Sequence, residues 1–312
     1  MIISASRRTD IPSCYPEWFA NRVSEGFVYV RNPMNARQVS KIDLSIDLVD
    51  CIVFWTKNPA PILPYLSTFE DYPYYFHVTL TGYGRDVEPG IARKREGVIP
   101  AIKELSERIG AERVIWRYDP ILFNDKYTPS YHLRAIDSIS RELEGFTRSC
   151  VISFVDTYPA NRSALSRIGH VAPSESDLRI FASSLAGIVE ARGMDVSTCA
   201  ERIDMGECGI RHGRCIDPDL VERMTGRRLS VGKDPSQRPA CGCAASIDIG
   251  SYGTCANGCA YCYACRGARP AALRHATHDP RSPLLCDELG PGDIVSDRPM
   301  RSLSSGQMEL DI

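Results

Sequence analysis

The chain has 312 residues, of which 43% are apolar and 24% charged, and a formal net charge of −2. A chain this long buries roughly three quarters of its unfolded surface, so it needs neither disulfides nor metals to fold, and it suits one large barrel or two modest domains. The near-neutral charge argues against nucleic acid as the main partner, since such binders usually carry a basic excess, and no apolar stretch approaches the ~20 residues that span a bilayer.

In chain order, Met1–Ala5 is a short apolar strand ending in the polar cluster Ser6-Arg7-Arg8-Thr9-Asp10. Pro16 and the amphipathic run Glu17–Glu25 predict a helix stopped by Gly26. Phe27–Val30, Cys51–Trp55 and Tyr74–Leu80 read as further strands, followed by Arg31-Asn32, Thr56-Lys57-Asn58 and Thr81-Gly82. Arg93–Ile109 predicts a helix with Val98, Ile102, Leu105 and Ile109 on one face. Strand Arg113–Arg117 leads to Tyr118-Asp119, and helix Tyr131–Leu143 precedes strand Val151–Val155, which ends at Asp156. Ser174 and Asp177 open a helix as a capping pair. Met194–Ser197 is a strand running to Cys199 and Glu201, and Asp217-Pro218 starts a short helix closed by Gly226. Ala245–Ile249 is the last strand, and residues 276–312 read as an irregular tail on a domain spanning 1–275.

Strands alternating with helices imply a parallel sheet, and the strand count is enough for a TIM-like (β/α) barrel; the alternative is an open doubly wound sheet. Arg7, Arg8, Asp10, Lys57, Arg117, Asp119 and Asp156 all follow strands. In a parallel barrel those ends share one face, where active sites lie. The predominance of arginine and lysine in that set points to an anionic small-molecule substrate, because guanidinium groups pair bidentately with carboxylate or phosphate.

Four of the thirteen cysteines fall in Cys255-Ala-Asn-Gly-Cys259-Ala-Tyr-Cys262-Tyr-Ala-Cys265. With no export signal visible, the cysteines point to a reducing cytoplasm and to metal ligands, catalytic thiols or buried small hydrophobes. The spacing C-x3-C-x2-C, with Tyr261 before the last cysteine, resembles the signature of radical S-adenosylmethionine enzymes. That resemblance implies a [4Fe–4S] cluster on Cys255, Cys259 and Cys262, with one iron left to chelate S-adenosylmethionine, Tyr261 beside the adenine, and a flavodoxin or ferredoxin as electron donor. In that family the motif follows the first strand. Here it comes last, which implies a circularly permuted barrel in which Ala245–Ile249 pairs with Met1–Ala5. The family's Gly-Gly-Glu clamp is replaced by Ser6–Asp10, leaving Thr9 or Asp10 to hold the amino-acid end of the cofactor.

Over most of its length the chain resembles the uncharacterised bacterial family DUF1848, through S-A-S-R-R-T-D-I-P, F-W-T-K-N-P and S-I-D-I-G-x-Y-x-T-C-x-x-G-C-x-Y-C-Y-A. The local C-x-Y-C-Y-A is also similar to the cluster loop of spore photoproduct lyase, which implies nucleic-acid repair or modification as an alternative. With Cys265 counted, the loop has four thiols. These would suit a zinc ion or a closed cluster in a ligand-binding protein without radical chemistry. A second group, Cys199, Cys215, Cys241 and Cys243, offers ligands for another Fe–S cluster or zinc, with Cys208 as a bystander. Cys14, Cys51, Cys150 and Cys286 are scattered, and Cys51 and Cys150 sit in apolar strands as core residues. His77 reads as a structural histidine.

Overall fold

The computed structural model describes residues 1–91, 93–265 and 268–308. Its strands are β1 Ile2–Ala5, β2 Phe27–Arg31, β3 Gln38–Asp43, β4 Cys51–Thr56, β5 Tyr74–Thr79, β6 Val114–Ile121 and β7 Ser149–Phe154. They continue as β8 Asp195–Cys199, β9 Arg211–Gly213, β10 Arg227–Leu229, β11 Ile247–Asp248, β12 Ile294–Asp297 and β13 Ser304–Met308. The α-helices are α1 Ile11–Cys14, α2 Pro16–Glu25, α3 Ile99–Ile109, α4 Pro129–Leu143, α5 Arg162–Arg167, α6 Glu175–Glu190, α7 Pro218–Thr225 and α8 Ala268–Ala276.

Eight strands form one parallel sheet in the order β11-β1-β4-β5-β6-β7-β8-β9. The last strand of the set lies beside the first, with Ile3 opposite Ile247 and Ser4 opposite Asp248. Among the described residues the two edge strands, β11 and β9, do not pair with each other, so the ladder is open rather than a closed barrel. Beyond the edges, Ala244 N donates to Ile216 O at 3.0 Å, bringing the segments after β9 and before β11 together.

Alternation along the strands sends side chains to two different cores. Ile3, Ile52, Phe54, Phe76, Trp116 and Ile152 pack with the helices. Ile2, Cys51, Val53, Tyr75, Ile115 and Val151 face the other way. That second face is covered by Cys215, Ile216, Cys241 and Cys243 from loops and by Val221 from the short helix α7.

The helices follow their local signals. Thr128 caps α4 by accepting from Tyr131 N, and Ser174 caps α6 by accepting from Asp177 N. Gly26 ends α2 at φ 76°, a left-handed conformation that costs glycine nothing. The expected helix Arg93–Ile109 is regular only from Ile99; Lys94–Val98 form a wide π-type turn. Pro100 explains this, since its missing N–H and its ring disrupt the preceding α-helical turn.

Two expectations are corrected. Phe27–Val30 does not enter the large sheet. β2 pairs antiparallel with β3, and β12 adds to β3 in parallel, forming a separate three-stranded sheet. Nor is the tail wholly irregular: β12 and β13 pair with β3 and β10. Every residue of β12 is exposed, so no apolar alternation marks it in sequence and pairing alone makes it a strand. Cys51 and Cys150 are fully buried core residues. No described helix is long and apolar enough to cross a membrane.

Candidate iron–sulfur and substrate site

The cysteine loop leaves β11 at the carboxyl end of the sheet and is tied to the segments after β1, β4 and β5. Asp10 is buried and accepts from Ser13 N at 3.0 Å, Lys57 N at 2.8 Å and Asn257 Nδ2 at 3.0 Å. Burial raises its pKa, and these donors oppose the rise. Gly90 N donates to Asn257 O at 3.0 Å, and Ala260 N to Val87 O at 2.9 Å. Asn161 Nδ2 donates to Tyr261 O at 2.9 Å, and Tyr15 Oη to Thr254 O at 2.5 Å.

Within the loop, the thiols of Cys255, Cys259 and Cys262 are electrostatic neighbours. The backbone N–H groups of Ala264 and Cys265 oppose the rise in the Cys262 thiol's pKa, and that of Asn257 opposes the rise at Cys255. Burial and the neighbouring Cys255 push the Cys262 thiol up to about 11. A metal reverses that balance by replacing the proton. Among the described residues no three His, Cys, Asp or Glu side chains converge to hold a single ion. Three neighbouring thiols on one loop are the donor type that an iron–sulfur cluster takes.

Sequence reasoning missed three participants. Glu88 is buried and accepts from Lys57 Nζ at 2.7 Å, Thr81 Oγ1 at 3.0 Å, Lys94 Nζ and Tyr261 Oη. Burial alone would raise its pKa, but Lys57 and Lys94 hold it well below the usual carboxylate range. Lys57 Nζ also lies 5.2 Å from the centre of the Tyr261 ring. Cys14, at the end of α1, is an electrostatic neighbour of the Cys255 thiol. No spacing rule signals these residues, because they reach the loop from distant positions in the chain.

A cavity of about 530 Å3 opens beside the loop, lined by Arg7, Arg8, Arg31, Arg298, Tyr252 and Tyr263 among others. Arg7 and Arg8 contact Asp248 at 3.8 Å, and Arg7 lies 3.9 Å from Asp234. Their remaining bonds, to Ser246 Oγ and Gly250 O, are 3.4 Å long, so the guanidinium groups keep donors for a ligand. Arg8 also lies over the Tyr252 ring at 5.2 Å.

Of the expected substrate set, only Arg7 and Arg8 line this cavity. Asp10 and Lys57 are spent on the bonds above. Arg117 donates to Asp119 at 2.6 Å and to Cys215 Sγ at 2.8 Å, and Asp119 also accepts from Ser153 Oγ. Asp156 pairs with Arg238 at the surface. The Tyr261 hydroxyl is bound to Glu88, and its ring packs with Tyr83. Thr9 Oγ1 is buried with no hydrogen-bond partner, in contrast to the fully engaged Asp10. His77 is structural: its Nε2 lies 2.7 Å from Cys215 O. Cys208 stands apart from the other cysteines, with its thiol against Arg179 O.

These features define a parallel α/β protein with a cysteine-rich loop and an arginine-lined cavity at the carboxyl end of its sheet. The chain matches the family described as Domain of unknown function (DUF1848) over residues 2–264, and it belongs to that family. No curated protein matches it.

Proposed function

We propose that the chain is a radical S-adenosylmethionine-like iron–sulfur enzyme acting on an anionic small molecule. The observation that carries this reading is the parallel pairing of β11 with β1. It sets the C-x3-C-x2-C loop beside Ser6–Asp10 and the arginine-lined cavity. An open parallel sheet with the motif strand at one edge, next to the first strand, supports a circularly permuted order.

Cys255, Cys259 and Cys262 would hold the cluster. When bound, a three-cysteine [4Fe–4S] group supplies the electron that cleaves S-adenosylmethionine to methionine and a hydrogen-abstracting 5′-deoxyadenosyl radical. The chain's own residues bind and orient. Thr9 offers its unpartnered hydroxyl to the polar end of the cofactor. Glu88, Lys57 and Lys94 form a buried charge cluster that holds Tyr261 and the loop in place. Arg7 and Arg8 present donors to the substrate's carboxylate or phosphate.

Anaerobic reconstitution with iron, sulfide and reductant tests this directly. Wild-type protein should yield 5′-deoxyadenosine, and single alanine variants of Cys255, Cys259 and Cys262 should yield none. A reconstituted iron-loaded wild type that leaves S-adenosylmethionine intact would overturn the reading. The electrostatic proximity of the Cys14 and Cys255 thiols favours a second reading, a closed centre completed by a fourth thiol. An iron-loaded Cys14→Ala variant that keeps its spectrum and cofactor cleavage argues against it.

A further inference from the structure

The four cysteines outside the loop meet in space. Cys199 ends β8, Cys215 follows β9, and Cys241 and Cys243 flank Gly242 ahead of β11. Cys199 Sγ lies 3.1 Å from Cys215 Sγ. Cys215, Cys241 and Cys243 pack in one buried cluster on this face of the sheet, with Cys199 against it. Cys215, Cys241 and Cys243 are buried, and none of the four is in a disulfide.

Two hydrogen-bond donors address these sulfurs. Arg117 Nη1 donates to Cys215 Sγ at 2.8 Å, and Ile216 N to Cys243 Sγ at 3.5 Å. The backbone is also built for close approach. A Cβ on Gly242 would fall 2.9 Å from Arg214 Cγ, and one on Gly213 would fall 2.7 Å from Thr198 O.

We propose that Cys199, Cys215, Cys241 and Cys243 form a tetrahedral four-thiolate site for a single zinc ion, closing the second face of the sheet independently of the cysteine loop. As they stand, no three of these thiols converge on one point. The proposed site requires side-chain rotation about the Cα–Cβ bonds to gather them. The choice of one ion over a cluster follows from spacing. With Zn–S at about 2.3 Å, tetrahedral sulfurs stand about 3.8 Å apart. Thiols already in contact approach that spacing, whereas a cubane holds its ligands much further apart. Binding would displace the thiol protons to solvent and link β8, β9 and the approach to β11 through one centre.

The test uses the full chain with Cys255, Cys259 and Cys262 all replaced by alanine, so that the loop contributes no metal. Purified apoprotein is titrated with zinc(II) alone, and with cobalt(II) as a spectroscopic probe. The expected result is about one tightly held ion per chain, the tetrahedral cobalt spectrum with intense thiolate charge transfer, and protection of four thiols from alkylation. Adding Cys215→Ser or Cys243→Ser should lower retained zinc at least tenfold, while adding Cys208→Ser should leave it unchanged. Absence of the tetrahedral cobalt spectrum, or zinc retention unaffected by Cys243→Ser, would overturn the proposal. The cobalt measurement needs no second-site variant, so misfolding of the serine variants cannot hide a failure. Cofactor cleavage is not scored, so the outcome stands apart from the fate of the enzyme reading.

Discussion

Asp10 and Asn257 are 247 residues apart in the chain, and their side chains are joined by a buried 3.0 Å hydrogen bond. Through it, the polar cluster after the first strand is fastened to the cysteine loop after the last strand of the sheet. The same carboxylate caps α1 and receives Lys57 N, so one residue organises three segments. Asp10→Ala leaves those three donors without their acceptor. The expected cost is about 3 kcal/mol, measured by urea unfolding of the apoprotein. A loss under about 0.5 kcal/mol would refute this organising role.

Thr9 should behave oppositely. Its buried hydroxyl has no partner, so Thr9→Val removes an unsatisfied group at nearly constant shape. The apoprotein should gain about 1 kcal/mol in stability. Affinity for S-adenosylmethionine in the cluster-loaded protein should weaken about tenfold, the worth of one hydrogen bond. Calorimetric titration and thermal denaturation read the two effects separately, and unchanged affinity would remove Thr9 from the cofactor site.

Gly90 lies against the cysteine loop. A Cβ there would sit 2.7 Å from both Cα and O of Asn257, backbone atoms that cannot swing aside. Gly90→Ala should displace the loop, destabilise the chain by about 1–3 kcal/mol and lower the iron retained after reconstitution. Full iron loading with wild-type stability would show that the loop tolerates the shift.

His132 gives a pH dependence whose direction follows from its bonds. Leu122 O can only accept, so Nε2 carries the proton, while Nδ1 accepts from Tyr118 Oη. The ring is buried among Tyr83, Phe123, Tyr127 and Phe181. Burial lowers its pKa to about 4. The unfolded chain takes up this proton near pH 6.5 and the folded chain only near pH 4, so stability falls as pH drops through that window and levels off below it. The loss amounts to about 3 kcal/mol. Urea unfolding between pH 7 and 4 measures it, and His132→Gln should flatten that part of the profile. An unchanged slope in the variant would assign the effect to other groups.

The sequence by itself determined the elements whose causes are local. The helix cap at Ser174, the stop at Gly26 and the apolar strands were legible because each depends on a few adjacent residues. So was the family, because its motifs are contiguous, and so were the three loop cysteines as a candidate ligand set. The pairing of the last strand of the sheet with the first was legible only through the resemblance. The tertiary structure alone decided the rest. Glu88, Lys94 and Cys14 reach the loop from three separate segments. Arg117 turns away from the cavity to the Cys199–Cys215 pair. β2 leaves the large sheet and pairs with β3 instead. Each of these outcomes depends on burial or on a hydrogen bond between residues far apart in the chain, and no periodicity encodes such a contact. The two cysteine groups therefore stand on different footings: spacing identifies the loop, while only the fold brings Cys199, Cys215, Cys241 and Cys243 together.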